Sequence, residues 1–349
     1  MKIFMSLTMA VLGLFVAMSC QNDNLQKDTT EEVVTFSIQT PAEQVAVKST
    51  IADGAEIADG TNVNAIHYAI YMTNNGFDNS LYGDGTTPVA QGYSQMELVE
   101  INGKMVRTAS IDFTLLQGQH YTALFWAQVS GQADGTNAHY TLGDLRTVSM
   151  TTGVVAEGDA AANDESRAAF YARYDFNTVE HKSHKVTLIR PFSQLNLLTT
   201  IESLTPTIEG QTSPAYTIDI KKSKVMVDRI ATQFDTRKET AVPESIGAYT
   251  FALELTPEEQ GQETLLVGTK KYHYVSMNYF FVPYDEVTDL EVDYLIVTDK
   301  GSLDNSVINV PIKKNRRTNL IGNLLTKETT FEIVVDSTFV APSEDREIQ

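Results

Sequence analysis

The chain of 349 residues holds one cysteine, one tryptophan and six histidines. With Cys20 alone, no internal disulfide forms and no cysteine-based zinc site is available. Basic residues are outnumbered, 26 against 45 acidic ones, and the net charge of -19 speaks against a nucleic-acid partner, since phosphate binding needs positive patches. After residue 19 no apolar run approaches the length of a membrane helix. Nucleophile elbow, His-Glu-x-x-His zinc motif, phosphate-binding loop, dinucleotide fingerprint and twelve-residue calcium loop are all missing. The expectation is a chain with no catalytic residues, no metal and no cofactor.

The first nineteen residues differ from the rest. Lys2 is followed by an apolar run from Ile3 to Met18, and the small residues Ala17 and Ser19 precede Cys20. This reads as a signal peptide over 1–19. The stretch Ala17-Met18-Ser19-Cys20 resembles a bacterial lipobox, in which the cysteine becomes the acylated first residue of the mature protein. Cys20 would stand on a flexible tether with no base fixed beside it, so it reads as an attachment point rather than a nucleophile. Residues 20–32 are polar and read as that tether.

Beyond the tether the composition favours strands, with 15 Tyr and 15 Phe. In "VVTFSIQ", Val34, Phe36 and Ile38 alternate onto one face, and "AIHYAIYM" repeats the pattern with Ile66, Tyr68 and Ile70. Asn102-Gly103 between two strand-like runs predicts a type I′ hairpin. "HYTALFWAQV", with Trp126, reads as a central strand buried on both faces. Asp164 to Tyr171 is a place for a short helix in a long acidic connection. Many short strands with regular turns mean sandwiches or barrels, an all-β fold, and the length suggests two domains. The expected division is 33–180 and 181–349.

Few side chains stand out as chemical. His181 and His184 are three apart, the spacing of one helix face, but no cysteine or carboxylate nearby completes a metal shell, and the pair reads as part of a solvated connection. The carboxylates Asp285, Glu286, Asp289, Glu291 and Asp293 read as a solvated face. Lys313, Lys314, Arg316 and Arg317 form the densest basic cluster. It is read either as a charged edge that resists aggregation or as a dock for an acidic surface.

Several stretches together carry a resemblance over most of the mature chain: the signal ending at Cys20, "VVTFSIQ", "RAAFYARYDF", "VTLIRPFSQLNL" and "NRRTNLIGNLLTKETTFEIVVDSTF". The chain resembles the fimbrillin-like surface lipoproteins of Bacteroidetes, relatives of the type V pilus subunits. The resemblance implies two tandem transthyretin-like β-sandwich domains, an outer-membrane lipoprotein at the cell surface or in a fimbrium, and partners that are other pilus subunits or copies of itself. It also implies assembly by strand exchange: a protease cuts after a basic residue beyond the first strand, the strand leaves, and a neighbour's C-terminal strand fills the groove. The exchanged residues would be Val34, Phe36 and Ile38, and the donor residues Phe331, Ile333 and Val335. Processing falls to Lys48, since no arginine precedes Arg107. A shaft, anchor or accessory role all fit this pattern. The competing expectation is a surface binding module for glycan or host protein, with Tyr82 and Tyr93 as a platform for sugar rings.

Overall fold

The computed structural model describes residues 30–41, 56–57, 60–73, 87–150, 160–162, 164–179, 181–206, 217–254, 264–267, 270–283, 286–322, 324–325, 331–336 and 345–346. The fold over these residues is all-β. Helical structure is limited there to single turns at Ile201–Leu204, Glu165–Arg167 and Pro243–Ser245. No helix among them is long and apolar enough to cross a membrane.

Four sheets account for the strands. The first runs β12 (Ser183–Thr187), β1 (Glu31–Gln39), β6 (Lys104–Leu116) and β2 (Glu56–Ile57), with β5 (Glu97–Ile101) also on β6. The second runs β11 (Ala169–Asn177), β7 (His120–Gln128), β3 (Ala65–Thr73) and β4 (Ala90–Gln95). The third is small: β8 (Tyr140–Thr141), β9 (Thr147–Met150), β15 (Gln233–Asp235) and β16 (Thr240–Ala241). The fourth has eleven strands. Its main path is β10 (Ala160–Ala161), β17 (Ile246–Glu254), β14 (Ile220–Ala231), β19 (Lys270–Phe281), β13 (Phe192–Thr200), β22 (Arg317–Gly322), β23 (Phe331–Asp336) and β24 (Asp345–Arg346), while β18 (Thr264–Val267) pairs with β19 and β20 (Thr288–Thr298) carries β21 (Gly301–Ile312).

Local sequence explains many of these elements. At the β5–β6 hairpin, Asn102 and Gly103 have φ of 54° and 79°, the two positive angles a type I′ turn requires. In β7 seven residues of apolar or small character and Gln128 are buried on both faces between β3 and β11. The helix expected over Asp164 to Tyr171 is confined to the Glu165–Arg167 turn. From Ala169 the chain pairs with β7 instead, because Phe170, Ala172 and Phe176 reach one core while Ala169 and Tyr171 reach another.

The first and second sheets face each other over a core that includes Val34, Phe36, Ile66, Ile70, Phe113, Phe125 and Phe170. The other face of the second sheet holds Tyr71, Trp126 and Tyr171. These pack against Phe234 of the third sheet and Phe281 of the fourth, with Tyr171 and Phe234 ring centroids 4.6 Å apart. A further core lies within the fourth sheet around Val225, Phe251, Val292 and Leu320. The expected division at 180/181 falls just before β12, which pairs in parallel with β1 and so belongs to the first sheet. The third sheet also crosses that division, since β9 pairs with β15.

Candidate functional site

The site of interest is the seat of β1. Its burial alternates, so that Val34, Phe36 and Ile38 point inward and are all at most 1% exposed. β1 pairs antiparallel with β6 over nine positions, from Glu31↔Leu116 to Gln39↔Thr108. On its other side it pairs in parallel with β12 over five, from Thr35↔Ser183 to Gln39↔Thr187. The first strand of the described chain is thus an interior strand, and each of its three inward side chains contributes about 2 kcal/mol through burial alone. Phe36 sits among rings: Phe113 at 5.7 Å, Phe125 at 5.4 Å, Tyr174 at 5.7 Å, Phe176 at 5.1 Å and His184 at 4.9 Å.

The histidine pair read as a solvated connection separates in the structure. His181 is exposed, whereas His184 turns inward on β12 and is 6% exposed. The helix-face spacing fails because His184 lies on the strand β12 and His181 precedes that strand outside any helix. Burial pushes the His184 pKa below its ordinary value, His181 adds to that, and among the described residues Nε2 has no hydrogen-bond partner. At the start of β1, Glu32 is also buried and meets Lys182 Nζ at 3.0 Å.

The proposed donor, β23, pairs antiparallel with β22 from Gly322↔Phe331 to Arg317↔Asp336. Among the described residues its far side pairs at Ile333 and Val334, with the two residues of β24. Ile333 is buried in the core of the fourth sheet. Cys20, Lys48 and Tyr82 lie outside the described residues.

The residues that carried the resemblance prove structural. Arg190 stacks its guanidinium over Phe170 at 4.5 Å and Phe192 at 5.6 Å, which ties the second sheet to the fourth. Its pKa is lowered to about 10 by burial. Arg317 donates from Nε to Gln194 Oε1 at 2.6 Å, and Asn196 donates to Asn319 Oδ1 at 2.8 Å, both in buried surroundings. The basic cluster does not form one surface. Arg317 is buried, Lys314 donates to the Glu239 carbonyl, and Lys313 lies 3.7 Å from Glu286. Tyr93 is half-exposed. Its hydroxyl donates to the Ala133 carbonyl and its ring leans on His67 at 5.8 Å.

One cluster escaped the sequence reading because its members are distant in the chain. His139 Nε2 lies 2.6 Å from Ser166 Oγ and 3.3 Å from Asp164. The residue types are those of a hydrolase triad, but the geometry is not. Ser166 and Asp164 share the same ring nitrogen, whereas a triad carboxylate orients the opposite one, and Ser166 donates to Asp164. Asp164 also accepts from the Ser166 backbone, so the cluster fixes the Glu165–Arg167 turn. Among the described residues no group of three or more His, Cys, Asp or Glu is placed to hold a metal ion.

These features define an all-β protein with an interior N-terminal strand. Over residues 26–349 the chain belongs to a family of unknown function, DUF6562. No curated protein matches it. Among solved structures it is similar to a fimbrial assembly protein from Parabacteroides distasonis, with 8% identity, a TM-score of 0.44, and coverage of 88% of this chain and 95% of that one. It is also similar to the tip fimbrial protein Mfa3 from Porphyromonas gingivalis, at 11% identity and a TM-score of 0.41, covering 87% and 99%. A third is a putative polysaccharide-binding protein from Bacteroides thetaiotaomicron, at 9% identity and a TM-score of 0.41, covering 89% and 98%.

Proposed function

We propose that this protein is a fimbrial structural or accessory subunit, exported as a lipoprotein through Cys20 and assembled by exchange of β1. The observation that carries the reading is the seat of β1: an N-terminal strand held between β6 and β12, supplying three side chains to one core. Its departure would leave a groove lined by the unpaired edges of β6 and β12 and by exposed aromatic rings. Such a groove demands a replacement strand. β23 has the matching alternation, with Phe331, Ile333 and Val335 spaced as Val34, Phe36 and Ile38 are. Lys48 lies nine positions after Gln39, the last residue of β1, so cleavage there would release the whole strand. In this reading the chain forms two tandem sandwich domains, with β12 in the first.

The test is the N-terminal sequence of the protein recovered from cells, together with its behaviour in detergent. A start at Ser49 with ladders that resist SDS is the expected result for an exchanging subunit, and a start at Cys20 within a fimbria marks an anchor. Intact, acylated monomer outside any fimbria overturns the proposal.

A further inference from the structure

The outer face of the first sheet carries a feature that strand exchange does not require. β1, β6 and β12 place six polar side chains there in two rows. Strand register makes the first row Ser110–Ser37–Lys185 and the second Thr108–Gln39–Thr187. Neighbouring strands stand about 4.8 Å apart, and positions two apart along a strand about 6.6 Å, so the six heads form a regular grid. The grid lines a trough of about 680 Å³, with Gln95, Glu97 and Ile101 among its other lining residues. That volume falls in the range of small-molecule sites, about 300–1,000 Å³.

The six side chains are uncommitted: none hydrogen-bonds or ion-pairs with a protein atom among the described residues. The contrast lies one step along the same face, where Thr35 donates to Asp112 at 2.7 Å across the β1–β6 pair. There the surface satisfies itself; in the trough it does not. Hydroxyls both donate and accept, an amide does each at a fixed end, and the ammonium donates. Among the described residues no aromatic ring lines the trough, so they offer a flat base nothing to stack on. Among the described lining residues Lys185 and Glu97 balance in charge, so that lining carries no net charge to select an anion or a cation.

We infer that this trough binds a neutral, hydroxyl-rich ligand, a short neutral oligosaccharide whose hydroxyls bridge the two rows. The middle member of each row, Ser37 or Gln39, belongs to β1. A bound saccharide therefore pins β1 in its seat, and loss of β1 dismantles the site. By mass action the ligand stabilises the form that retains β1. This coupling rests on the exchange reading; the binding itself does not.

The experiment uses the full mature chain with β1 in place, screened on an array of neutral and acidic oligosaccharides and followed by saturation-transfer NMR with the neutral trisaccharides that score. The expected result is binding of neutral glycans, weakened at least tenfold by Gln39→Ala and abolished by Ser110→Trp, which fills the trough from an exposed position. Thr35→Ala, outside the trough, should leave binding unchanged. Absence of any neutral glycan binding, preference for acidic glycans only, or full binding by Ser110→Trp overturns the inference. Because the intact chain is used, these outcomes are independent of whether subunits polymerise.

Discussion

Phe36 and His184 are direct partners across the parallel seam of β1 and β12, their rings 4.9 Å apart and inclined by 32°. The strand proposed to leave is thus held partly by a titratable ring. Tyr174 and Phe176 of β11 close around the same histidine at 5.2 and 5.1 Å, and the ionisable groups near the seam include Lys182, paired with Glu32, Lys185 on β12, and His181.

The seam should therefore loosen in acid. Burial lowers the His184 pKa from 6.5 in the folded protein. A depressed histidine pKa means that the unfolded chain takes up the proton first. Its contribution to stability is full above pH 6.5 and is lost as pH falls from there toward the folded value. Thermal melts between pH 7.5 and 5 should show a falling Tm, with a smaller fall in His184→Phe. His67, His139 and His273 are lowered by burial as well, so the wild-type slope should be reduced rather than removed. An unchanged slope in His184→Phe would contradict this assignment.

Phe36 should matter far more than the outward-facing residues of the same strand. Truncation of a buried phenylalanine costs about 3–5 kcal/mol through lost transfer energy and the cavity left behind. Phe36→Ala should lower urea stability by that amount and speed proteolysis near β1. Val33, 54% exposed on the opposite face, should tolerate alanine within about 0.5 kcal/mol.

Two glycines separate backbone strain from steric clash. Gly103 and Gly60 share a φ of 79°, which L-residues adopt at a cost of about 1–2 kcal/mol. A Cβ on Gly103 meets nothing within 4 Å, but one on Gly60 would lie 2.5 Å from the Phe170 ring. Gly103→Ala should cost the strain alone. Gly60→Ala should cost clearly more in the same denaturation assay, since Phe170 is itself fully buried and cannot move aside.

What was legible in the sequence was local. The alternation of Val34, Phe36 and Ile38, the Asn102-Gly103 turn and the doubly buried strand around Trp126 each follow from side chains a few residues apart, and each stands in the structure. What was not legible was pairing across the chain. β12 reaches β1 over some 150 positions, and nothing in "SHKVT" announces a parallel partner, so the burial of His184 does not show in the sequence. The basic cluster misled for the same reason. Charge density is visible in sequence, but the burial of Arg317 depends on a glutamine far up the chain.

That contact gives the sharpest energetic test. Arg317 Nε donates to Gln194 Oε1 between the parallel strands β13 and β22, and both side chains are almost fully buried. Removing one partner takes this bond from a buried polar group, at a cost of about 1–3 kcal/mol, more when the remaining group is charged. Gln194→Leu and Arg317→Leu should each destabilise by at least this much. The double variant removes the donor together with its acceptor and leaves neither stranded. It should therefore fall short of the summed single losses by about 1 kcal/mol or more in a double-mutant cycle of urea unfolding. Strict additivity would mean that each residue acts through its other neighbours, and that the Arg317–Gln194 bond contributes nothing to holding β22 against β13.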